Sequence, residues 1–328
     1  MNLELYVGVE KEKKANTTEM LKMNVTDVSI KENISTVDSN VISNGRFKSS
    51  GFIGSKRVSG SMSLEPTLLE LETLLQGAGF KAVETNGADN KHTRTYTATE
   101  TYETPLTVIL NLIVKNFKEQ TDSCLVDSLS LGLALESYVK LEAEVKGMAH
   151  KKEEGKHTVT NAIANNGKRL TCLGVVVKKG DTDISAKIES ADIRLSNSLE
   201  ERGAINKVHT QEIIQNGQGE VSVTLNYNQL DKDEYLKADK LLSSNGETTL
   251  EITLAEDITV EKQQFEKTKQ VVIKLPNVKY KNNEMGDLSG HGSLTQELGA
   301  YPNAEGQPIE FIFKNMDNSM KPKPGIGG

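Results

Sequence analysis

The chain states one pattern twice. Val58-Ser59-Gly60-Ser61-Met62-Ser63-Leu64 runs straight into an apolar stretch carrying Leu68, Leu69, Leu71, Leu74 and Leu75. Val221, which stands 163 residues after Val58, opens Val221-Ser222-Val223-Thr224-Leu225-Asn226-Tyr227, and a second such stretch follows with Leu230, Tyr235, Leu236, Leu241 and Leu242. That offset is about half of the 328-residue length. Each half is long enough to bury a core of its own. A duplicated β-rich unit without shared chemistry points to a building block and away from a machine with one active site.

The rest of the chain falls into two parallel series. Residues 24–30 alternate apolar and polar side chains as a half-buried strand does, and residues 188–195 repeat the pattern at the same offset. Polar stretches follow at 35–50 and 196–215. Pro66 suits the first turn of a helix over the first leucine run, with Gly77 just past its end. Residues 231–240 form the second helix, closed by Asn245-Gly246. Residues 103–110 resemble 247–254, and both faces of 107–113 carry apolar residues, so that strand is expected to be covered on both sides. A polar insert near 80–102, present only in the first copy, reads as a long β-hairpin or loop. Late strands are expected at 124–131 and 138–147, then at 271–280 and 287–297. Residues 151–156 read as a charged joint, and the chain closes with a strand at 309–313 and a flexible Pro/Gly tail. The fold class is therefore mainly β: two tandem β-sandwich or β-barrel modules, each with one flanking α-helix, over 1–155 and 156–328.

Composition narrows the function. Aromatics are 5% of residues and tryptophan is absent, thin for a protein that stacks on bases or sugars. A net charge of −7 offers no lysine and arginine surplus for holding a phosphate backbone. No apolar segment follows the N-terminal Lys11-Glu12-Lys13-Lys14 run, so a signal peptide is not expected, and the apolar stretch at 106–114 is too short to span a bilayer. The two cysteines, Cys124 and Cys172, lie in strand-like apolar settings and read as reduced thiols.

No catalytic, cofactor or metal site emerges. The five histidines form no His-Glu-x-x-His pattern and flank no Cys-x-x-Cys pair. Asn166-Gly167-Lys168-Arg169 lacks the earlier glycine of a phosphate loop and reads as a hairpin turn. The glycines of 286–292 precede a strand rather than a helix, which suits close packing better than nucleotide binding.

Three stretches resemble the tail tube (major tail) proteins of long-tailed bacteriophages and prophages. The opening, Val7-Gly8-Val9-Glu10-Lys11 with residues 25–30, is similar to that family's short start and first strand. The strand from Gly54 through Val58, Gly60 and Ser61 to Pro66, with Leu74 and Leu75 in the helix after it, is similar to its strand-then-helix signature. Residues 124–131 leading to Lys146-Gly147 look like its late strand pair. In the second half, residues 193–200 and the closing Gly290-His291-Gly292 are similar to long members with two tube modules; Val223 departs from the signature glycine at Gly60.

The resemblance implies a non-enzymatic structural subunit without cofactors, whose rings stack into a hollow conduit for double-stranded DNA with an acidic lumen. Two modules per chain imply trimeric rings with pseudo-sixfold symmetry, and the insert near 80–102 becomes a candidate for contacts between stacked rings. The implied partners are further copies of the chain, the tape measure, terminator and baseplate or tip proteins, and transiently passing DNA, with no membrane insertion. The implied place is the virion tail, after synthesis in the host bacterial cytoplasm. The tube of a phage-like contractile particle or bacteriocin is an alternative, as is a surface-displayed β-repeat adhesin or pilus-like subunit.

Overall fold

Alternating buried and exposed side chains organise most of the chain into strands. The computed structural model describes residues 3–10, 19–38, 51–86, 91–155, 161–163, 165–256, 268–286 and 292–317. In the first half these give β1 (Leu3–Val9), β2 (Glu19–Met23), β3 (Val25–Val28), β4 (Lys31–Val37), β5 (Phe52–Leu64), α1 (Leu68–Gly77), β6 (Phe80–Asn86), β7 (Lys91–Ala98), β8 (Leu106–Leu112), β9 (Phe117–Ala134), β10 (Lys140–Gly147) and β11 (Ala149–Glu154). The second half gives β12 (Asn161–Ile163), β13 (Val176–Lys179), β14 (Thr182–Asp183), β15 (Ile188–Ser196), β16 (Leu199–Arg202), β17 (Glu212–Gln215), β18 (Glu220–Tyr227), α2 (Lys232–Ser244), β19 (Thr248–Ala255), β20 (Gln270–Gly286), β21 (Ser293–Ala300) and β22 (Glu310–Asp317).

Strand pairing repeats as the sequence does. One layer runs β3–β5–β10–β9 and continues without a break through β15–β18–β21–β20. The opposing layer has two parts. The first runs β12–β2–β1–β8–β9–β11. The second runs β13–β19–β20–β22–β7–β6. β9 and β20 are long, at 18 and 17 residues, because each bends to serve both layers. The apolar sides of the layers enclose a continuous core that includes Leu5, Met62, Leu131, Leu225, Ile273 and Phe313. β8 is buried on both faces, as its sequence predicts.

The two helices differ in burial. Every residue of α1 is buried, whereas α2 buries only Glu234 and Ala238. Thr67 caps α1, so Pro66 lies before the first turn rather than in it: the Thr67 hydroxyl accepts from the Glu70 N–H, and Glu70 accepts from the Thr67 N–H at 2.7 Å. This capping box places Pro66 one residue before the cap. Gly77 is the last helical residue, and the chain turns at Gly79 with φ +82°. α2 starts at the Asp231 cap and ends on Asn245 in the left-handed region.

Two expectations fail. Residues 151–154 belong to strand β11, paired with β9, because charged side chains are solvated on an exposed edge strand as readily as in a loop. Asn166-Gly167 is not a hairpin turn; the irregular segment there crosses the start of α1, where Leu170 N–H bonds the Pro66 carbonyl at 2.8 Å.

Candidate assembly interface

The junction between the halves pairs β9 with β15, whose inward residues Leu129, Leu131, Ala191 and Ile193 belong to the core. Residues 128–134 of β9 pair antiparallel with Ser190–Ser196 of β15, with Arg194 opposite Ser130 and Asp192 opposite Gly132. The chain then leaves the sheet through Asn197, whose side-chain amide donates to the carbonyls of Ala78 at 3.0 Å and Val126 at 2.8 Å. Asp127 accepts from the Leu199 N–H at 2.6 Å and pairs with Lys146 at 2.7 Å.

β16 and β17 form an arm that folds back on the first half. Leu199 and Ile213 pack against Leu125, Met148 and Tyr102. Glu201 accepts from the Val58 N–H at 3.2 Å, and its burial raises its pKa. The corresponding arm of the first half, β4 with the start of β5, meets the β16–β17 arm at its base, where the Lys56 N–H donates to the Val208 carbonyl at 2.7 Å, and its tip has no such apolar cover among the described residues. Ile34, Val37, Phe52 and Ile53 on it are exposed, Phe52 by 68%. Apolar side chains gathered on one protruding ribbon mark a contact surface.

Among the described residues, both ends of the long layer are open edges: nothing pairs with the outer side of β3 at one end, or with that of residues 279–286 in β20 at the other. The solvent-facing side of the layer is rich in hydroxyls, from Ser59, Ser61, Ser63, Ser128, Ser130, Ser222 and Thr224. Its charges are mixed: Glu142, Glu144, Asp192, Glu220, Glu284 and Glu297 stand among Lys140, Lys146, Arg194, Lys279 and Lys281.

The residues singled out in the sequence fall mostly at packing positions. Val58, Leu74 and Leu75 are core, and Ser61 lies on the polar face opposite Glu144. Gly147, paired with Val58, lies where a Cβ would stand 2.6 Å from the Thr121 methyl. Pro66 precedes the α1 cap, and Gly60 is crossed closely by residues 29 and 30. Gly292 turns with φ +70° beside Leu230, while Gly290 lies outside the described residues. The insert forms the β6–β7 hairpin, and β7 pairs with β22 of the same chain, so that edge is already taken. No motif in the sequence singles out Asp127 or Asn197, and Glu201, which beside Glu200 reads as a solvated loop charge, is instead buried. Comparing the copies gives one signal: polar Asn197 stands where the first copy has apolar Ile34.

Both cysteines are free, and burial raises the Cys124 thiol pKa well above the ordinary range. Among the described residues no cluster of histidine, cysteine and carboxylate side chains is placed to hold a metal, and no helix is long and apolar enough to cross a membrane.

A mainly-β subunit with unpaired layer ends and an exposed apolar arm has the features of an assembling structural protein. The profile of the phage tail tube protein family matches residues 4–294, and the chain belongs to that family. It is a structural tail component of the virion that self-assembles into a tube and associates with other tail proteins. The family is structural rather than enzymatic. No individually curated protein matches the chain significantly.

Proposed function

We propose that the chain forms trimeric rings in which each protomer supplies two tube modules, residues 1–155 and 156–328, and that stacked rings conduct double-stranded DNA during genome ejection. The observation that carries this reading is the β9–β15 junction. It joins the end of one four-strand set to the start of the next, and leaves the same two kinds of edge open at the ends of the chain. Repeating the junction between chains closes the layer into a barrel and removes its free edges.

Superposing the repeat gives the register. Lys31 pairs with Ser59 as Arg194 pairs with Ser222. Glu284 pairs with Thr295 as Ser130 pairs with Glu142. Since Arg194 faces Ser130, Lys31 of one chain would face Glu284 of the next, an opposite-charge pair across the new joint. The exposed β4–β5 arm would then lie on the neighbour's second module, as the β16–β17 arm lies on the first.

The polar face would line the lumen. Hydroxyls with charges of both signs present no continuous cationic track, so DNA would release few counterions there and slide past without sticking. Assembly in the host cytoplasm, followed by contact with tape measure, terminator and baseplate or tip proteins, completes the reading. Electron microscopy of the purified protein tests it: rings or tubes with a central pore and three chains per ring are expected. Persistent monomers at high concentration, or six chains per ring, would overturn it.

A further inference from the structure

Beneath α2 the second sandwich buries a lysine among polar side chains. Lys179, at the end of β13, is 2% exposed. Its Nζ lies 2.5 Å from the Glu234 carboxylate of α2 and donates to Gln296 Oε1 and to the Tyr227 hydroxyl, both at 2.9 Å. The rings of Tyr227 and Tyr280 flank it, each centroid 5.5 Å from Nζ. Gln296, on β21, is fully buried. Its carbonyl oxygen also accepts from the Tyr227 O–H at 2.9 Å, and its amide nitrogen donates to Asn283 Oδ1 at 3.2 Å. A lysine ammonium, a carboxylate, a carboxamide and a hydroxyl donating to the carboxamide oxygen thus converge in a buried site.

We propose that Lys179 and Gln296 are joined by an isopeptide bond that the chain forms by itself, with Glu234 as general base. Glu234 takes a proton from the lysine ammonium, and the nitrogen lone pair attacks Cδ of Gln296. The Tyr227 hydroxyl holds the oxyanion that develops on Oε1. Collapse breaks the Cδ–Nε2 bond, and Glu234 passes protons from the new amide nitrogen to the leaving group. The lysine ammonium and the carboxamide become one secondary amide and one ammonium ion, Glu234 returns to its carboxylate, and no oxidant or cofactor enters. Desolvation lowers the Lys179 pKa, which favours the amine, while the Glu234 charge opposes that shift. Fixed approach replaces a bimolecular encounter. The bond would staple β13 of one layer to β21 of the other across 117 residues, and it rests on no assumption about rings or DNA.

Intact-mass spectrometry of the purified full chain tests this directly. The expected mass is lower than the sequence mass by about 17 Da, the ammonia expelled, and digestion should yield one branched peptide containing both residues. Glu234→Gln and Gln296→Ala should restore the full mass. Succinimide at an Asn-Gly pair such as Asn166-Gly167 gives the same loss but would persist in Glu234→Gln. Wild-type protein at its sequence mass after prolonged incubation, with the two peptides separate, would overturn the proposal whether or not the variants fold. A loss unchanged in Glu234→Gln would overturn it too.

Discussion

Gly60 and Val223 occupy the same place in the repeat, yet only the first has to be glycine. A Cβ on Gly60 would stand 2.2 Å from the Ser29 carbonyl oxygen and 2.5 Å from the Ile30 Cα, both backbone atoms that cannot swing aside. In the second half Ile193 pairs with Val223 in ordinary register. The substitution was legible in the sequence, but its reason was not, because it depends on how β3 passes into β4 over β5. Gly60→Ala should lower stability by about 1–3 kcal/mol in thermal unfolding, the cost of forcing a side chain into a filled site. His150 gives a pH prediction. Burial lowers its pKa from 6.5, with the neighbouring Glu119 charge opposing, and Thr121 Oγ1 lies 2.9 Å from its Nδ1. A depressed histidine pKa means that its contribution is present above pH 6.5 and is lost as the pH falls through the folded-state value. The Tm should therefore fall more steeply on acidification for the wild type than for His150→Gln.

At the scale of elements, local pattern located most strands and both helices, because alternation and capping are written in neighbouring residues. It missed β11, whose paired lysines and glutamates give no apolar face, and β16 and β17 within the polar stretch 196–215. It placed the β6–β7 hairpin but not its partner: β7 meets β22 through pairs such as Tyr96 with Phe311, far apart in sequence. Nothing local encodes that choice. The hairpin is also pinned to α1 by Arg94, whose Nε lies 2.8 Å from Glu72 Oε1 with both side chains buried. Arg94→Ala leaves a buried carboxylate without its cation and should cost about 3–5 kcal/mol, whereas the pair Glu72→Leu with Arg94→Met should be near neutral in chemical denaturation. Equal losses in the two proteins would show that packing around the hairpin, and not the ion pair, holds it.

For the whole molecule, duplication is legible in the sequence, and the β5–β10–β9 pairing recurs in β18–β21–β20. What the sequence could not supply was the joint between the halves, since β9 and β15 become neighbours only when two separate sandwiches share a layer. Asp127 and Asn197 act at that joint through backbone groups of Leu199, Ala78 and Val126, contacts that leave no periodic trace. The same joint repeated between chains is the account's central claim, and a disulfide reads it most directly. In a Cys172→Ser background, Lys31→Cys combined with Glu284→Cys places two thiols opposite each other only across neighbouring chains in the proposed register. Oxidised assemblies should run on a denaturing, non-reducing gel as a ladder that ends at the covalent trimer. A ladder continuing to six chains, or assembled rings that do not cross-link, would contradict the account.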